Sequence, residues 1–344
     1  MTIRRLLATT AAGLLLATGL AACGDSGTGN EDAVAADGSV DLSKVTLIVG
    51  DQRGTSAEAL LKAAGLDDTP YKIDWKLFTS GPPLLEALDA GAVHVGQVGN
   101  TPPLFAAAAG SDFKIVSAIS YTGQGDAILV PKDSPLKSVS ELAGKTVAVA
   151  EGSSANYNLL GQLSQAGVKY SDVKIQNLQP ADALTAFTAG HVDAWTTWEP
   201  YTSQAEIQDG ARVLADGSKV MNGYSFNVAS DAALDDKATS AALADYLNRI
   251  TKAALWAGAH PEEWTKIWAE QTGLTPDITA AAAKKRPVST VPIDQTVIDS
   301  EQKMADAFTA AGLLPESVDV TPYFDDRYNS DTTGSKVETS AAAK

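Results

Sequence analysis

The chain has 344 residues, of which 44% are apolar and 20% charged, so it is long enough for a sizeable core and two lobes. Its 42 acidic residues outnumber its 26 basic ones, and the formal net charge is -16. This charge argues against a nucleic-acid-binding protein, because such a protein needs a basic surface to displace phosphate counterions. The negative net charge is compatible with the binding of a small anion by local dipoles of the protein.

The first residues have the pattern of a signal peptide. Arg4 and Arg5 precede an apolar run rich in Ala, Leu, Gly and Thr, which ends at small residues. The run is too short and too rich in small side chains for a transmembrane helix, which needs about 20 strongly apolar residues. We predict a signal peptide over 1–22, and ordinary secretion is favoured over twin-arginine export because the residues around the arginine pair fit the latter poorly.

Cys23 is the only cysteine of the sequence, so no disulfide can form within the chain. Its place directly after Leu20-Ala-Ala resembles the lipobox of bacterial lipoproteins, in which this cysteine carries the lipid. An anchor of at least two acyl chains is stable, since each buried methylene contributes about 0.8 kcal/mol. We predict lipidation at Cys23 and a flexible tether over 23–43, because that segment is polar and has small side chains.

Beyond the tether, short apolar runs alternate with helical patterns, which is typical of an α/β architecture. After Asp231 the chain is predicted to be almost wholly helical, with a loose tail over 329–344. Trp256, Trp264 and Trp268 in this region are interpreted as packing anchors. Nine strands are predicted, at 45–49, 72–77, 93–98, 114–120, 126–130, 146–150, 173–177, 193–197 and 224–228.

A short internal repeat indicates two lobes built on one plan. The segment LDAGAVHVGQVGNTPPL from Leu88 aligns with FTAGHVDAWTTWEPYTS from Phe187 at an offset of 99 residues. In both segments a helix, an Ala-Gly turn, a strand and a loop follow one another. Two such lobes would place the loops around Asn100 and Glu199 opposite each other across a cleft.

Three segments place glycine and small polar residues in front of an amphipathic helix: TSGP at 79–82, GNTP at 99–102 and GSS at 152–154. Helix capping alone explains each of them, because Ser, Thr and Asn are favoured N-caps and proline fits the first turn. A helix start also leaves backbone N–H groups unpaired and carries partial positive charge. Three starts that converge at the strand ends of a sheet would therefore bind a tetrahedral anion without a cation.

Two further loops carry candidates for the cleft. Arg53 follows the first strand beside Gln52 and would supply a counter-charge, although an exposed loop arginine is the commoner explanation. Trp195 and Trp198 lie in the repeated loop, where strand alternation would bury one and leave the other as an apolar wall for the organic part of a ligand.

No motif of catalysis or metal binding is present in the sequence. The patterns G-x-S-x-G, H-E-x-x-H, C-x-x-C and the P-loop are absent, and His94, His191 and His260 are isolated from one another. We therefore expect neither an enzyme nor a metal site, and no cofactor.

Three segments resemble the aliphatic sulfonate-binding proteins of ABC importers, within a wider group that binds taurine and nitrate: FTSGPPLLEALDAGAVHVGQVGNTPPLFAAAAG, KTVAVAEGSSANYNLLGQLSQAGVKYSDV and LQPADALTAFTAGHVDAWTTWEPY. The resemblance covers about 45–326. It implies an α/β, two-lobed type II periplasmic-binding-protein fold with two crossover strands and a helical C-terminal region. We place lobe one at 44–129 plus 227–328 and lobe two at 130–226, closing on the ligand by hinge motion.

The resemblance also implies the pocket residues and the partners. Asn100 and Glu199 depart from the family, which often has aspartate at both places, so the exact ligand is left open. The residues carried over by motif are Gln52, Ser80, Gly81, Asn100, Thr101, Ser153, Ser154 and Trp198. We expect a monomeric, lipid-anchored receptor outside the cytoplasm that delivers its ligand to an ABC permease and its ATPase.

An aliphatic sulfonate is the expected ligand, because it stays ionised and only accepts hydrogen bonds, which suits a pocket rich in donors. The alternatives are taurine or nitrate, or a neutral or cationic compound of the vitamin-precursor type. Stacking on Trp198 and an acidic role for Glu199 would favour the neutral or cationic compound.

Overall fold

The computed structural model describes residues 30–333, so the predicted signal peptide and Cys23 lie outside the described residues. Within that range the chain forms these strands: β1 Thr46–Gln52, β2 Lys72–Phe78, β3 Val95–Gly99, β4 Phe113–Ser120, β5 Ala127–Val130, β6 Thr146–Val149, β7 Lys174–Asn177, β8 Ala194–Thr197, β9 Arg212–Asp216, β10 Tyr224–Ser230 and β11 Ser289–Val291.

Helices fill the connections between the strands and most of the chain beyond β10. They are α1 Ala57–Ala63, α2 Gly81–Asp89, α3 Pro102–Ala108, α4 Ser154–Gln165, α5 Pro180–Thr188, α6 Tyr201–Gln208, α7 Asp231–Asp235, α8 Lys237–Ala259, α9 Pro261–Thr272, α10 Pro276–Lys285, α11 Gln295–Ala310 and α12 Asn329–Thr332. No helix within the described residues is long and apolar enough to cross a membrane.

The strands form two sheets on one plan. The first has the order β11-β4-β10-β3-β1-β2 and the second the order β7-β6-β8-β5-β9. In the first, β1 lies parallel to β2 and β3, and the antiparallel β10 separates β3 from β4. In the second, β6 lies parallel to β7 and β8, and the antiparallel β5 separates β8 from β9. The two segments of the internal repeat thus supply equivalent strands, β3 and β8.

Helices cover both faces of each sheet, so the inner strands are buried on both sides and are apolar without alternation. All nine predicted strands are present, with ends shifted by a few residues. The two strands that sequence patterns missed, β9 and β11, lie at sheet edges and are half-buried or exposed, which leaves them without a long apolar run. The two-lobed α/β architecture is confirmed.

The segment before β1 corrects a prediction, because the described part of the predicted tether over 23–43 packs on the first lobe. The side chain of Asn30 donates to Thr239 Oγ1 at 2.7 Å and accepts from the amide of Thr46 at 2.9 Å. Ala33 is 2% exposed. Ala33 is part of the core of the lobe, and apolar residues between 34 and 42 pack against that core.

The predicted loose tail over 329–344 begins too early in the chain, because its first residues are ordered. Residues Asn329–Thr332 form α12, and Asn248 donates to the carbonyl of Asp331 at 2.8 Å. Residues 334–344 lie outside the described part of the chain.

Both predicted lobe boundaries move by a few residues. Strand β5 pairs within the second sheet from Ala127 onward, so the predicted break between 129 and 130 cuts through it. Strand β10 pairs with β4 in the first sheet from Tyr224 onward, whereas the prediction assigned residues up to 226 to lobe two.

The chain crosses between the sheets over 121–126 and 217–223, and these two segments lie side by side. The amide of Tyr121 donates to the carbonyl of Gly223 at 2.7 Å. Gly223 has φ +75°, and a Cβ added there would lie 2.3 Å from the carbonyl oxygen of Tyr121. Only glycine permits this approach, so the crossovers pack backbone against backbone.

Candidate functional site

A cavity of ≈ 40 Å³ lies between the two lobes, where β1 and β3 of the first sheet and β6 and β8 of the second end. This is the place where open α/β sheets bind ligands. A single water needs about 10–15 Å³ of such space, so the cavity has room for one small polar group. It is lined by Gln52, Gly54, Thr55, Gly81, Gln97, Val98, Gly99, Pro102, Tyr121, Asp126, Ser153, Ser154, Trp198, Ser225 and Arg286.

Arg286 is the one cation in the cavity wall, and it follows the last residue of α10. Its guanidinium carbon lies 4.5 Å from the centroid of the Tyr121 ring, and Nη2 lies 3.4 Å from Ser225 Oγ. Stacking on an aromatic face fixes the guanidinium plane. A fixed guanidinium fork presents several donors that suit an oxyanion.

The start of α4 supplies donors from lobe two. Ser153 is its N-cap and accepts from the amide of Asn156, while its own hydroxyl donates to the carbonyl of Ala150 at 2.5 Å. The hydroxyl of Ser154 donates to Asp126 at 2.7 Å. Both hydroxyl protons are therefore used within the protein, and Ser153 also accepts from the amides of Asn156 and Tyr157. The backbone N–H groups of Ser154 and Ala155 are the donors left for an anion.

Asp126 places a carboxyl group in the same wall. Burial raises the pKa of this carboxyl to about 6, against the opposing effects of Arg286 and of the hydrogen bond from Ser154. The carboxyl is 1% exposed. The cavity therefore holds a cation and a group whose charge changes close to neutral pH.

Five of the predicted site residues line the cavity: Gln52, Gly81, Ser153, Ser154 and Trp198. The side chain of Gln52 donates to the carbonyl of Gln97 at 2.6 Å, which fixes its orientation. The two tryptophans of the repeated loop lie in different environments, as predicted. Trp195 is buried, with 1% of its surface exposed, and Trp198 lines the cavity.

Arg53 lies outside the cavity wall. Its Nη2 donates to the carbonyl of Thr272 at 3.0 Å, and its guanidinium carbon lies 5.5 Å from the centroid of the Tyr201 ring. The cation that lines the cavity is Arg286, whereas Arg53, the counter-charge suggested by the sequence, bonds elsewhere.

Ser80 joins the two lobes and lies outside the wall. It is fully buried, and its hydroxyl donates to Gln179 Oε1 in lobe two at 2.8 Å. The hydroxyl of Thr79 donates to the same oxygen at 3.0 Å. These bonds hold the lobes together beside the cavity.

Asn100 and Thr101 are also directed elsewhere. The amide of Asn100 donates to Asn222 Oδ1 at 2.7 Å, and the hydroxyl of Thr101 donates to Asn100 Oδ1 at 3.0 Å. The helix behind them, α3, begins with Pro102 and Pro103, which have no N–H to offer an anion. The first turns of α2 and α3 each contain two prolines, so of the three predicted helix starts α4 is the one that offers two neighbouring free N–H groups, those of Ser154 and Ala155.

Glu199 forms an ion pair between the lobes. Its Oε1 lies 3.2 Å from Nζ of Lys285, and both of its oxygens accept from Ser203. Burial raises the pKa of this carboxyl, and Lys285 opposes the rise. Glu199 thus lies behind the wall and not in it.

The wall residues that sequence reasoning missed have no local signal. Tyr121 and Asp126 lie in a crossover, Ser225 lies inside β10, and Arg286 directly follows α10. Each enters the cavity only because of the tertiary fold. Among the described residues, no group of His, Cys, Asp and Glu side chains could hold a metal ion.

Comparison with known proteins gives one family. Residues 79–264 match the family model described as NMT1/THI5 like. The alkanesulfonate-binding protein SsuA from Xanthomonas axonopodis pv. citri, bound to MOPS, is 34% identical with a TM-score of 0.77, and the match covers 81% of this chain and 98% of that chain. The periplasmic aliphatic sulphonate binding protein SsuA from Escherichia coli is 35% identical with a TM-score of 0.71, covering 81% and 91%.

A more distant likeness shows the fold alone. The desulfurization enzyme DSZB is 17% identical with a TM-score of 0.57, and the match covers 83% of this chain and 98% of that chain. The matches to the binding proteins confirm the type II periplasmic-binding-protein fold expected from the sequence.

Proposed function

Since the chain belongs to the family of aliphatic sulfonate-binding proteins of ABC importers, we propose that it is a solute receptor that holds an aliphatic sulfonate between its two lobes. The observation that carries this proposal is Arg286, fixed over Tyr121 and opposite the start of α4 in a cavity of ≈ 40 Å³. A sulfonate group is ionised across the physiological range and only accepts hydrogen bonds, so a guanidinium and unpaired N–H groups meet its needs.

The net charge of -16 does not oppose this assignment. Exposed charges more than about 8–10 Å from the ligand are largely screened at physiological salt. Arg286 and the α4 amides act at contact distance in a narrow cavity between the lobes, where their interaction with an anion is stronger than that of distant surface charges.

Ligand binding is coupled to lobe closure in this proposal. The sulfonate would contact Arg286 in lobe one and the start of α4 in lobe two, so it favours the state in which both are near. The bonds of Ser80 to Gln179 and of Lys285 to Glu199 form in that same state and add to its stability.

The proposal extends to cell location and partners. The receptor works outside the cytoplasm, held on the membrane by lipid on Cys23, and delivers its ligand as a monomer to an ABC permease and its ATPase without catalysing a reaction. Mass spectrometry of the mature N-terminus, with a Cys23→Ser variant as the control, tests the anchor. A turnover assay for desulfonation tests the absence of catalysis.

Isothermal titration with ethanesulfonate, taurine, nitrate and sulfate tests the ligand class. We expect heat of binding with ethanesulfonate and much weaker binding of nitrate and sulfate. If none of the four gives heat, the anion assignment is wrong, and a panel of neutral and cationic compounds follows.

Taurine is the second candidate, and Asp126 favours it. A carboxylate in the cavity wall would pair with the ammonium group of an aminosulfonate while Arg286 binds the sulfonate. Tighter binding of taurine than of ethanesulfonate would support this ligand.

A further inference from the structure

We propose that the organic part of the ligand enters a second cavity, of ≈ 470 Å³ in lobe one, and that the preferred ligand is a sulfonate with a bulky apolar or aromatic tail. This inference rests on the proposed function, because it takes the sulfonate group as fixed beside Arg286. It adds the substrate class, which the head-group site alone does not define.

The two cavities adjoin. Gly54, Thr55, Gln97 and Arg286 line both of them, so the guanidinium that holds the head group also borders the larger space. Gly54 keeps this border narrow, since a Cβ added there would lie 3.1 Å from the carbonyl oxygen of Glu199.

The volumes of the two cavities indicate which part of the ligand each one can hold. The head-group cavity of ≈ 40 Å³ leaves no room for a chain of several carbons beside the sulfonate. The second cavity, at ≈ 470 Å³, is in the range of pockets that bind whole small molecules, which is about 300–1,000 Å³. An organic tail that leaves the first cavity past Arg286 therefore has a space to enter within the same lobe.

The wall of the second cavity is mainly apolar and comes from α8, α9 and α10. Trp264 and Trp268 stack with centroids 5.7 Å apart and an interplanar angle of 10°. The indole N–H of Trp268 donates to the carbonyl of Arg53 at 3.3 Å, so its polar atom is already satisfied. The other apolar wall residues include Leu60, Ile119, Ile250, Ala254 and Ala257. Such a wall selects apolar groups and flat rings.

Asn227 is the polar exception in this wall. It is 4% exposed, its Nδ2 donates to Ser117 Oγ at 2.7 Å, and its Oδ1 has no hydrogen-bond partner. Exchanging the two amide positions would leave one end equally unpaired. A buried unpaired amide is costly, so the cavity accepts a tail that carries one hydrogen-bonding group near Asn227.

The first experiment uses the unmodified protein and a series of linear sulfonates from methanesulfonate to octanesulfonate, together with benzenesulfonate, in isothermal titration. Each methylene buried in the apolar cavity should raise affinity by about fourfold until the cavity is full. A tail that points to solvent would give an affinity independent of chain length, which would overturn the inference. Absence of binding by every member would instead overturn the proposed function.

The second experiment fills the cavity with Ala254→Phe and uses Ala259→Phe as the matched control. Ala254 is in the cavity wall, whereas Ala259 is an exposed residue at the end of the same helix, α8. The ratio of hexanesulfonate to methanesulfonate affinity should fall at least tenfold in Ala254→Phe and stay unchanged in Ala259→Phe. An unchanged ratio in folded Ala254→Phe contradicts the inference, and if that variant does not fold, the chain-length series decides.

Discussion

The hydroxyl of Ser154, at the start of a lobe-two helix, donates a 2.7 Å hydrogen bond to Asp126, at the end of the first crossover. Burial raises the pKa of this carboxyl to about 6, so it is mostly neutral below that pH and ionised above it. An ionised carboxylate in the wall repels a sulfonate. We therefore predict that affinity for ethanesulfonate rises by about tenfold as the pH falls from 8 to 5, measured by isothermal titration.

Asp126→Asn is the matched variant for this prediction, because it keeps the shape and removes the charge. It should bind ethanesulfonate at pH 8 as tightly as the unmodified protein does at pH 5, with little dependence on pH. Equal pH profiles for the two proteins would show that another group titrates.

Replacement of Arg286 tests the head-group site. Arg286→Ala should weaken ethanesulfonate binding by about 10- to 100-fold, because a hydrogen bond to a charged group contributes about 1.5–3 kcal/mol. Arg53→Ala is the control, since Arg53 bonds to the carbonyl of Thr272 away from the wall. Similar losses of affinity in both variants would mean that positive charge near the cleft attracts the ligand and that direct contact with Arg286 is not required.

A double-mutant cycle distinguishes a ligand contact at Ser80 from a bond between lobes. Ser80→Ala and Gln179→Ala should each weaken binding by about two- to tenfold, because each removes the bond between these two residues from the closed state; Gln179→Ala also removes the bond from Thr79 and should be the weaker of the two. The double variant should be no weaker than the worse single one. Additive losses in isothermal titration would instead indicate that Ser80 acts on the ligand independently of Gln179.

The close contact of the crossovers gives a stability prediction. Gly223→Ala and Gly190→Ala both force alanine into a left-handed conformation, at φ +75° and +73°. The added Cβ at 223 would also meet the carbonyl of Tyr121, whereas at 190 it meets nothing within 4 Å. We expect Gly223→Ala to lower the free energy of unfolding by about 2 kcal/mol more than Gly190→Ala in urea denaturation. Equal effects would show that the crossovers separate easily.

The raised pKa of the buried Glu301 carboxyl gives a prediction of how the stability of the fold depends on pH. Burial raises the pKa of this carboxyl in α11 to about 8, although the side chain of Asn222 donates to its Oε1 at 2.6 Å. The folded state therefore binds this proton more tightly than the unfolded state does. Its contribution to stability is fully present below the unfolded-state pKa of 4.5 and declines as the pH rises from there to about 8. Thermal unfolding of Glu301→Gln should show a flatter pH profile. The exposed Glu316→Gln should keep the original profile, and a flat profile in the unmodified protein would contradict the shift.

The sequence predicted the inner strands because strands buried on both faces have dense apolar runs, whatever lies above them. It also found the edge strand β2, in which Ile73, Trp75 and Leu77 alternate with polar residues. It missed the edge strands β9 and β11, of five and three residues, which have neither a long apolar run nor such alternation. In the site, local signals located the α4 start and Trp198, since capping residues and strand alternation act within a few positions. Arg286 carries no such signal, as an arginine after a helix is common on any surface.

For serine and threonine residues, the sequence does not show which acceptor the hydroxyl group bonds to. A serine before a helix is recognisable as a donor, but its acceptor is set by the fold. The acceptor of Ser80 is Gln179, in the opposite lobe. The prolines at the start of α2 and α3 have no N–H group, so these two helix starts offer an anion fewer backbone donors than α4 does.

The position of β10 between β3 and β4 also sets an order of events during synthesis. Strand β4 leaves the ribosome roughly a hundred residues before β10, and the whole second sheet is made in between. A nascent chain that ends before Tyr224 thus has the parts of lobe two but a first sheet with an unfilled gap. Lobe two can therefore assemble before lobe one is complete. A truncation in the C-terminal third of the protein would damage mainly lobe one, although that lobe begins with the N-terminal strands.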